Sequence, residues 1–249
     1  MESKEGRFAV TKEVWHMLGT LVNTATVILG GLLGLLLGTR VPQRLRDTVM
    51  QGIGLCTLVI GALSAMDTAS VLTLIICMVL GGFLGEGINI EKRLERLGSR
   101  AQALLVREQA AGSLFVQGFM TASLLFCVGP MSIVGPLESG LSGNHATQVA
   151  KALMDGVAAI FLSAALGPGV LLSAAAVLAY QGAITLGASL LAPLLTSSVI
   201  VEMSAVGGVI IMGIGFTLTG VGKIRVGNML PAIFLPIAYL PLVNWISTL

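Results

Sequence analysis

Lys151 and Asp155 stand four residues apart in an otherwise apolar run, and the 3.6-residue period of a helix puts this ammonium and carboxylate on one face. Such a pair inside hydrocarbon either holds a proton or cation, or is a salt bridge that fixes the depth of its helix; spacing leaves both readings open. Glu202 lies a few residues into another apolar run, with Val206, Gly213, Thr217 and Gly220 on its side of a helix. A carboxylate above that small, partly polar stripe faces a cavity or a neighbouring span, or else is an acidic residue favoured near a helix N-terminus after Thr196-Ser197-Ser198. Amides and hydroxyls extend the set. Asn23 shares an arc with Gly19, Thr26, Gly30 and Gly34; Gln117 aligns with Thr121, Ser132 and Gly135; Gln181 aligns with Thr185. Together these residues suit the binding and passage of a small solute, a monovalent cation or a proton. Asp155 and Glu202 are the expected ion ligands, Lys151 the electrostatic partner of Asp155, and Asn23, Gln117, Thr121 and Gln181 the expected lining of a solute path. Each amide taken alone serves equally well as an interhelical hydrogen bond.

Covalent chemistry finds less support. His16 and His145 stand outside any HxxxH or HExxH context, so no metal site is expected. Cys56, Cys77 and Cys127 sit singly in apolar segments and read as buried free thiols. No nucleophile, base and orienting group recur at motif spacing, so neither an enzyme nor a cofactor is expected. Asp67, Glu86, Glu138 and Asn228 read as caps and boundary residues.

The elements that must position these residues follow from composition. The 249 residues are 55% hydrophobic and only 10% charged, where a soluble domain carries roughly a quarter charged residues. Most of the surface must therefore face lipid, and the fold expected is an all-α polytopic transmembrane helical bundle in a bacterial inner membrane. With about 20 apolar residues per crossing, spans are predicted near 17–38, 48–66, 69–88, 113–135, 151–167, 169–190, 199–221 and 228–247. Residues 1–16 read as an N-terminal extension before a retained first span, and 17–249 as a single transmembrane domain. Between the third and fourth spans, 89–112 is read as an interfacial amphipathic connection with Leu94, Leu97, Ala101, Leu104 and Leu105 as its apolar stripe. The 32 glycines concentrate in the apolar runs, which predicts close helix packing and leaves room for a homodimer through Gly-rich faces.

Basic residues orient the chain. Arg40, Arg44, Arg46, Lys92, Arg93, Arg96, Arg100, Arg107, Lys223 and Arg225 fall on one side, against Lys4, Arg7, Lys12 and Lys151 on the other. The first set is cytoplasmic by the positive-inside rule, and both termini lie outside. The net charge of +2 is a small difference between sparse loop charges and does not suggest a nucleic-acid partner.

Gly19–Gly61 and Gly169–Gly215 share a rhythm of a small-residue span followed by a Gly-rich span. If these correspond, an odd offset of five spans makes an inverted repeat, the architecture of many secondary transporters; chance likeness of two Gly/Leu/Ile-rich helices is the other reading. Gly129-Pro130 predicts an interrupted or kinked fourth span, and Gly167-Pro168-Gly169 a tight interhelical turn.

Several stretches together resemble the DUF554 family of bacterial membrane proteins, also called the YqgA or YdfK family. They are Gly19-Thr-Leu-Val-Asn23, Gly118-Phe-Met-Thr-Ala-Ser-Leu-Leu-Phe-Cys-Val-Gly129, Lys151-Ala-Leu-Met-Asp-Gly156, Tyr180-Gln-Gly182, Glu202-Met-Ser-Ala-Val-Gly-Gly208 and Ile224-Arg-Val-Gly-Asn228. The resemblance runs from about residue 17 to the C-terminus. It singles out Asn23, Lys151, Asp155, Gln181 and Glu202 as motif members and implies no activity; at Pro130 the family pattern has another small residue. The function expected is ion- or proton-coupled secondary transport of a small solute or ion. The alternatives are an ion channel, or a membrane scaffold that docks partners on the basic 89–112 segment.

Overall fold

The computed structural model describes residues 15–38, 43–105, 112–222 and 224–247. The N-terminal extension, apart from Trp15 and His16, therefore lies outside the described residues, as do Arg40, Arg107, Lys223 and the side chains of Ala101, Leu104 and Leu105. The fold is an all-α polytopic membrane bundle. Its helices are α1 (Leu18–Gly38), α2 (Gln43–Met66), α3 (Val71–Ile88), α4 (Ile90–Leu105), α5 (Gly112–Cys127) and α6 (Met131–Ser142). They continue as α7 (Ala146–Leu166), α8 (Gly169–Leu186), the single turn α9 (Ala188–Leu191), α10 (Ser197–Thr219), a 3₁₀ helix (Val226–Phe234) and α11 (Pro236–Ser247).

Six helices are long and apolar enough to cross a bilayer: α1, the Asp47–Met66 part of α2, α3, α7, α8 and α10. Two further pairs reach that length together but are bent, α5 with α6 by 59° and the 3₁₀ helix with α11 by 42°, so the count is six, or eight if each bent pair is one span. The stretches predicted as the fourth and eighth spans are thus bent helix pairs and not single straight helices. A proline stands at both joints: Pro130 and Pro236 offer no N–H to the helix before them, so neither can tie the two pieces together. At the first bend Gly129 takes φ +118°, a backbone state that only glycine adopts cheaply. Carbonyls freed there would be stranded in an apolar interior, and Ser132 Oγ takes them up by donating to the Phe126 carbonyl at 2.9 Å. Gly167, at φ +82°, makes the tight turn from α7 into α8 as the sequence predicts.

The fifth predicted span begins too late. Residues 146–150 are polar enough to read as loop, yet they form the first turns of α7, so Lys151 and Asp155 sit deeper in a helix than a start at 151 implies. The 89–112 connection is helical as α4, and its N-terminus is capped by another element: the Glu91 N–H donates to Asn228 Oδ1 of the 3₁₀ helix at 2.8 Å. Asn228 is a cap, as the sequence suggests, but of α4.

Glycine sets the spacing of the two tightest helix pairs. Gly30, Gly34 and Gly38 of α1 lie against Gly156, Ile160 and Ala164 of α7, and a Cβ on Gly34 would collide with the Ile160 carbonyl. Both sets ascend together, so the pair is parallel. Gly54 and Gly61 of α2 meet Gly215 and Gly208 of α10 in descending order, an antiparallel pair. α10 is buried along most of its length and is the central helix, whereas α2 and α3 turn most of their apolar surface outward. The Gly-rich faces of α1 and α10 are consequently occupied within one chain.

Gly34→Ala should therefore lower stability in detergent by about 1–3 kcal/mol, the usual cost of overpacking. Gly82→Ala, where nothing lies within 4 Å, should leave the melting temperature unchanged or slightly raised. Equal melting curves for the two variants would contradict the α1–α7 packing.

Candidate functional site: a buried charge pair in an amide network

Four helices bring polar side chains to one place, at the end of the bundle where α1 and α7 begin and α6 and α8 finish. Lys151 and Asp155, both on α7, form an ion pair with Nζ 2.5 Å from Oδ2, and each residue is only 6% exposed. Asn23 of α1 donates through Nδ2 to Asp155 Oδ2 at 3.0 Å and to Gln181 Oε1 of α8 at 3.1 Å. Gln148, two turns before Asp155 on α7, donates to the same Gln181 oxygen at 3.1 Å and to Thr20 Oγ1 at 2.9 Å. Thr20 meets Thr185 of α8 at 3.3 Å. Ser139 of α6 donates to Gln148 Oε1 at 2.8 Å. Asn23, Gln148, Gln181, Thr20 and Ser139 are fully buried.

The pair fixes the orientation of every amide around it. Asp155 accepts only, so Asn23 must turn its NH₂ inward; Gln181 then presents its oxygen to two N–H donors. Two atoms are left over as a consequence. Asn23 Oδ1, an acceptor, and Gln181 Nε2, a donor, are buried and have no hydrogen-bond partner.

The network extends toward the protein's end through Ser139. Its hydroxyl proton goes to Gln148, so toward His145 Nδ1, at 3.1 Å, it accepts, and His145 carries its proton on Nδ1. The remaining lone pair, on Nε2, is buried without a partner. His16 Nδ1 lies 2.8 Å from the Ser139 carbonyl and donates to it, and Trp15 packs edge-on against His145 with ring centroids 5.7 Å apart. Burial, and next the nearby charge of His16, hold the His145 pKa below its ordinary value.

Glu202 is elsewhere. It is 2% exposed, and its carboxylate accepts from Thr68 Oγ1 at 2.7 Å, the Ala69 N–H at 2.8 Å and the Ser70 N–H at 3.2 Å. It therefore binds the N-terminus of α3, not of its own helix, which Thr196 caps. Gln117 and Thr121 are separate again. With Glu91, Glu95, Ser99, Met120 and Thr217 they line a cavity of about 760 Å³ between α4, α5 and α10. The bend after Cys127 is what breaks the alignment of Gln117 and Thr121 with Ser132 and Gly135.

Of the residues singled out in the sequence, the structure thus joins Asn23, Lys151, Asp155 and Gln181, and leaves Gln117, Thr121 and Glu202 at two other places. Sequence reasoning missed Gln148, Thr20 and Ser139 as members. For Gln148 a signal exists: it precedes Lys151 by three and Asp155 by seven, one helical face.

Comparison with known proteins agrees with the motif likeness. A family model described as "Protein of unknown function (DUF554)" matches residues 18–240. The chain is 32% identical over 221 residues to "Uncharacterized protein YqgA" of Escherichia coli (strain K12), covering 88% of this chain and 94% of that protein. It is 29% identical over 224 residues to "Uncharacterized membrane protein YdfK" of Bacillus subtilis (strain 168), with the same coverage of 88% and 94%. No solved structure matches significantly.

Removing one partner of a buried pair leaves an uncompensated charge, so Lys151→Met should cost about 3–5 kcal/mol in unfolding experiments. The double change Lys151→Met with Asp155→Leu should recover most of that; a double variant as unstable as the single would refute the pairing. His145 contributes a pH dependence of known sign. Its folded pKa lies below the unfolded value of about 6.5, so the unfolded chain binds the proton more tightly. The stability from neutral His145 is present above that pH and lost as pH falls through the window beneath it. Melting temperatures of wild type and His145→Phe should therefore diverge between neutral and mildly acidic pH, with the variant's curve the flatter.

Proposed function

The chain belongs to the DUF554 family, and from that premise we propose that it is a secondary transporter of a small solute in the bacterial inner membrane, coupled to a proton or monovalent cation held at Lys151–Asp155. One observation carries the reading: a charged pair buried in the middle of four apolar helices, with hydrogen-bonding atoms still to spare. Ionisable groups at such depth are costly, and mere anchoring of a helix needs neither a carboxylate nor three surrounding amides.

The cavity supplies the second half of a transporter. About 760 Å³ is the size of a metabolite pocket, and its mixture of Gln117, Thr121, Ser99 and Thr217 with Met120 and Leu124 suits a solute that is partly polar. It is bordered by α4 and the 220–226 stretch, the segments bearing Lys92, Arg93, Arg96 and Arg225, and so lies toward the cytoplasmic end by the positive-inside rule. The charge pair sits toward the opposite side. A solute cavity on one side and a buried charge pair toward the other suit a coupled carrier, in which solute and ion sites are distinct. The two bent helix pairs support the reading of interrupted spans, and contacts of α1 with α8 and of α2 with α10 agree with an inverted repeat. A homodimer would use the outer faces of α2 and α3, since the glycine faces of α1 and α10 are taken. Glu202, in this reading, ties α10 to the α2–α3 turn and does not bind the ion.

Purified protein in liposomes, given proton and cation gradients and a metabolite panel, should accumulate at least one solute. Asp155→Asn should cut gradient-driven uptake by about tenfold or more, ~1.4 kcal/mol in rate, while Gln117→Ala should raise KM. Silence of the folded protein across the panel would overturn the proposal, as would steady single-channel conductance in planar bilayers.

A further inference from the structure

The site around Asp155 is built almost wholly of N–H donors. Asp155 Oδ2 already accepts from Lys151 Nζ and from Asn23 Nδ2. Gln181 Oε1 accepts from Asn23 and Gln148, and Gln148 Oε1 accepts from Ser139. Among the described residues, the oxygens of this cluster that hold no donor come down to Asn23 Oδ1 and the second oxygen of Asp155. A desolvated metal cation is held by a shell of oxygens. Two are too few, and the Lys151 ammonium stands where the cation's charge would have to go. The spare NH₂ of Gln181 adds a second objection, because it presents a positive edge to any cation nearby.

A proton meets none of these obstacles, needing only one oxygen and no space. We propose that the Asp155 cluster is a proton site closed to alkali-metal cations, with a single water bridging Asn23 Oδ1 and Gln181 Nε2 as the immediate proton relay. The two stranded amide atoms are one acceptor and one donor, and water is the smallest partner that satisfies both at once. In the step itself a hydronium O–H bond breaks and an O–H bond forms on Asp155; the water remains neutral. The cluster passes from a neutral ion pair to a net charge of +1, all of it on Lys151, whose hold on Asp155 is then weakened to that of a cation on a neutral acid. Charged and titratable groups that face the carboxylate are Lys151 on its own helix and the Cys127 thiol from the end of α5, with Tyr180 of α8 beside that thiol. From α1 the carboxylate meets Asn23, which does not titrate.

This inference names the coupling ion of the transport reading and rests on it, so the test is made on the binding step alone. Full-length protein in detergent is titrated with acid while infrared difference spectra follow the carbonyl band of a protonated carboxyl, and NaCl, LiCl and KCl are titrated separately by calorimetry. The expected result is a band that Asp155→Asn removes and Glu86→Gln retains, with no saturable heat from any of the three salts. A saturable sodium, lithium or potassium signal in wild type would overturn the proton assignment and leave transport standing. Absence of any Asp155-dependent band would overturn it too. Should Asp155→Asn fail to fold, Asn23→Ala, which strips one of the relay's anchors, must alter the band's position or pH profile; an unchanged band would sink the relay. A proton-binding protein that moves no solute in liposomes would instead remove the transport reading and keep the site.

Discussion

Burying an ammonium beside a carboxylate in an apolar bundle is tolerable only if the remaining lone pairs and N–H groups are met, and that requirement organises one end of this molecule. Two charges drawn out of water each cost several kcal/mol before their mutual attraction is counted. The attraction alone satisfies a single oxygen of Asp155. Asn23 must supply a further donor to it, Gln181 must face Asn23, and Gln148 must face Gln181. Each step fixes one amide, and because the amides come from α1, α8 and α7, each also fixes a helix. The orientation of the network is therefore a consequence of one charge pair's demands, and the atoms it strands are a consequence of the same chain of choices.

Packing must cooperate for the amides to meet at all. Asn23 lies two turns from Gly30 on α1, and Asp155 is the neighbour of Gly156, the residue that Gly30 touches on α7. Side chains as short as asparagine and aspartate bond across a helix pair only when the backbones nearly touch. The glycine register that brings α1 against α7 is thus the structural condition of the hydrogen bond between Asn23 and Asp155. A larger residue at Gly30 would act on the site without contacting it. The pairing of α2 with α10 uses the same device, and there Glu202 closes the far end by gripping the N-terminus of α3.

What the sequence showed, and what it hid, divides along physical lines. Membrane-crossing helices such as α1 and α3 on the outside and α10 at the centre were legible because hydrocarbon demands unbroken apolar runs. The proton- or cation-binding candidates on α7 were legible because ionisable residues in such runs are rare. Gln148 was not, since a glutamine just before a span reads as loop, and only its burial among Thr20, Ser139 and Gln181 shows why α7 begins early. The partners of Glu202 were hidden for a related reason: one chain cannot show that the helix N-terminus a carboxylate meets belongs to a distant element. Gln117 and Thr121 border a cavity, yet the straight alignment with Ser132 failed because Gly129 and Pro130 redirect the chain by 59°.

That bend also decides how the two polar regions can communicate. α5 carries Gln117 and Thr121 into the cavity, while α6 carries Ser139 into the amide network, so one bent pair touches both. Its joint, Gly129-Pro130, lacks the proline N–H that would tie it back to α5, its carbonyls are bonded only within α6, and Ser132 already serves the freed carbonyl of Phe126. On the other side of the joint Val128 fits against Gly207 of the central helix, where no side chain competes for the space. A tilt of α6 relative to α5 would thus cost little backbone energy but would change the reach of Ser139 toward Gln148 and His145. Straight spans such as α7 or α8 cannot move one end without carrying the other. Of the described elements that reach the charge pair's network, this one has a ready-made joint, and it is the one whose other half borders the cavity.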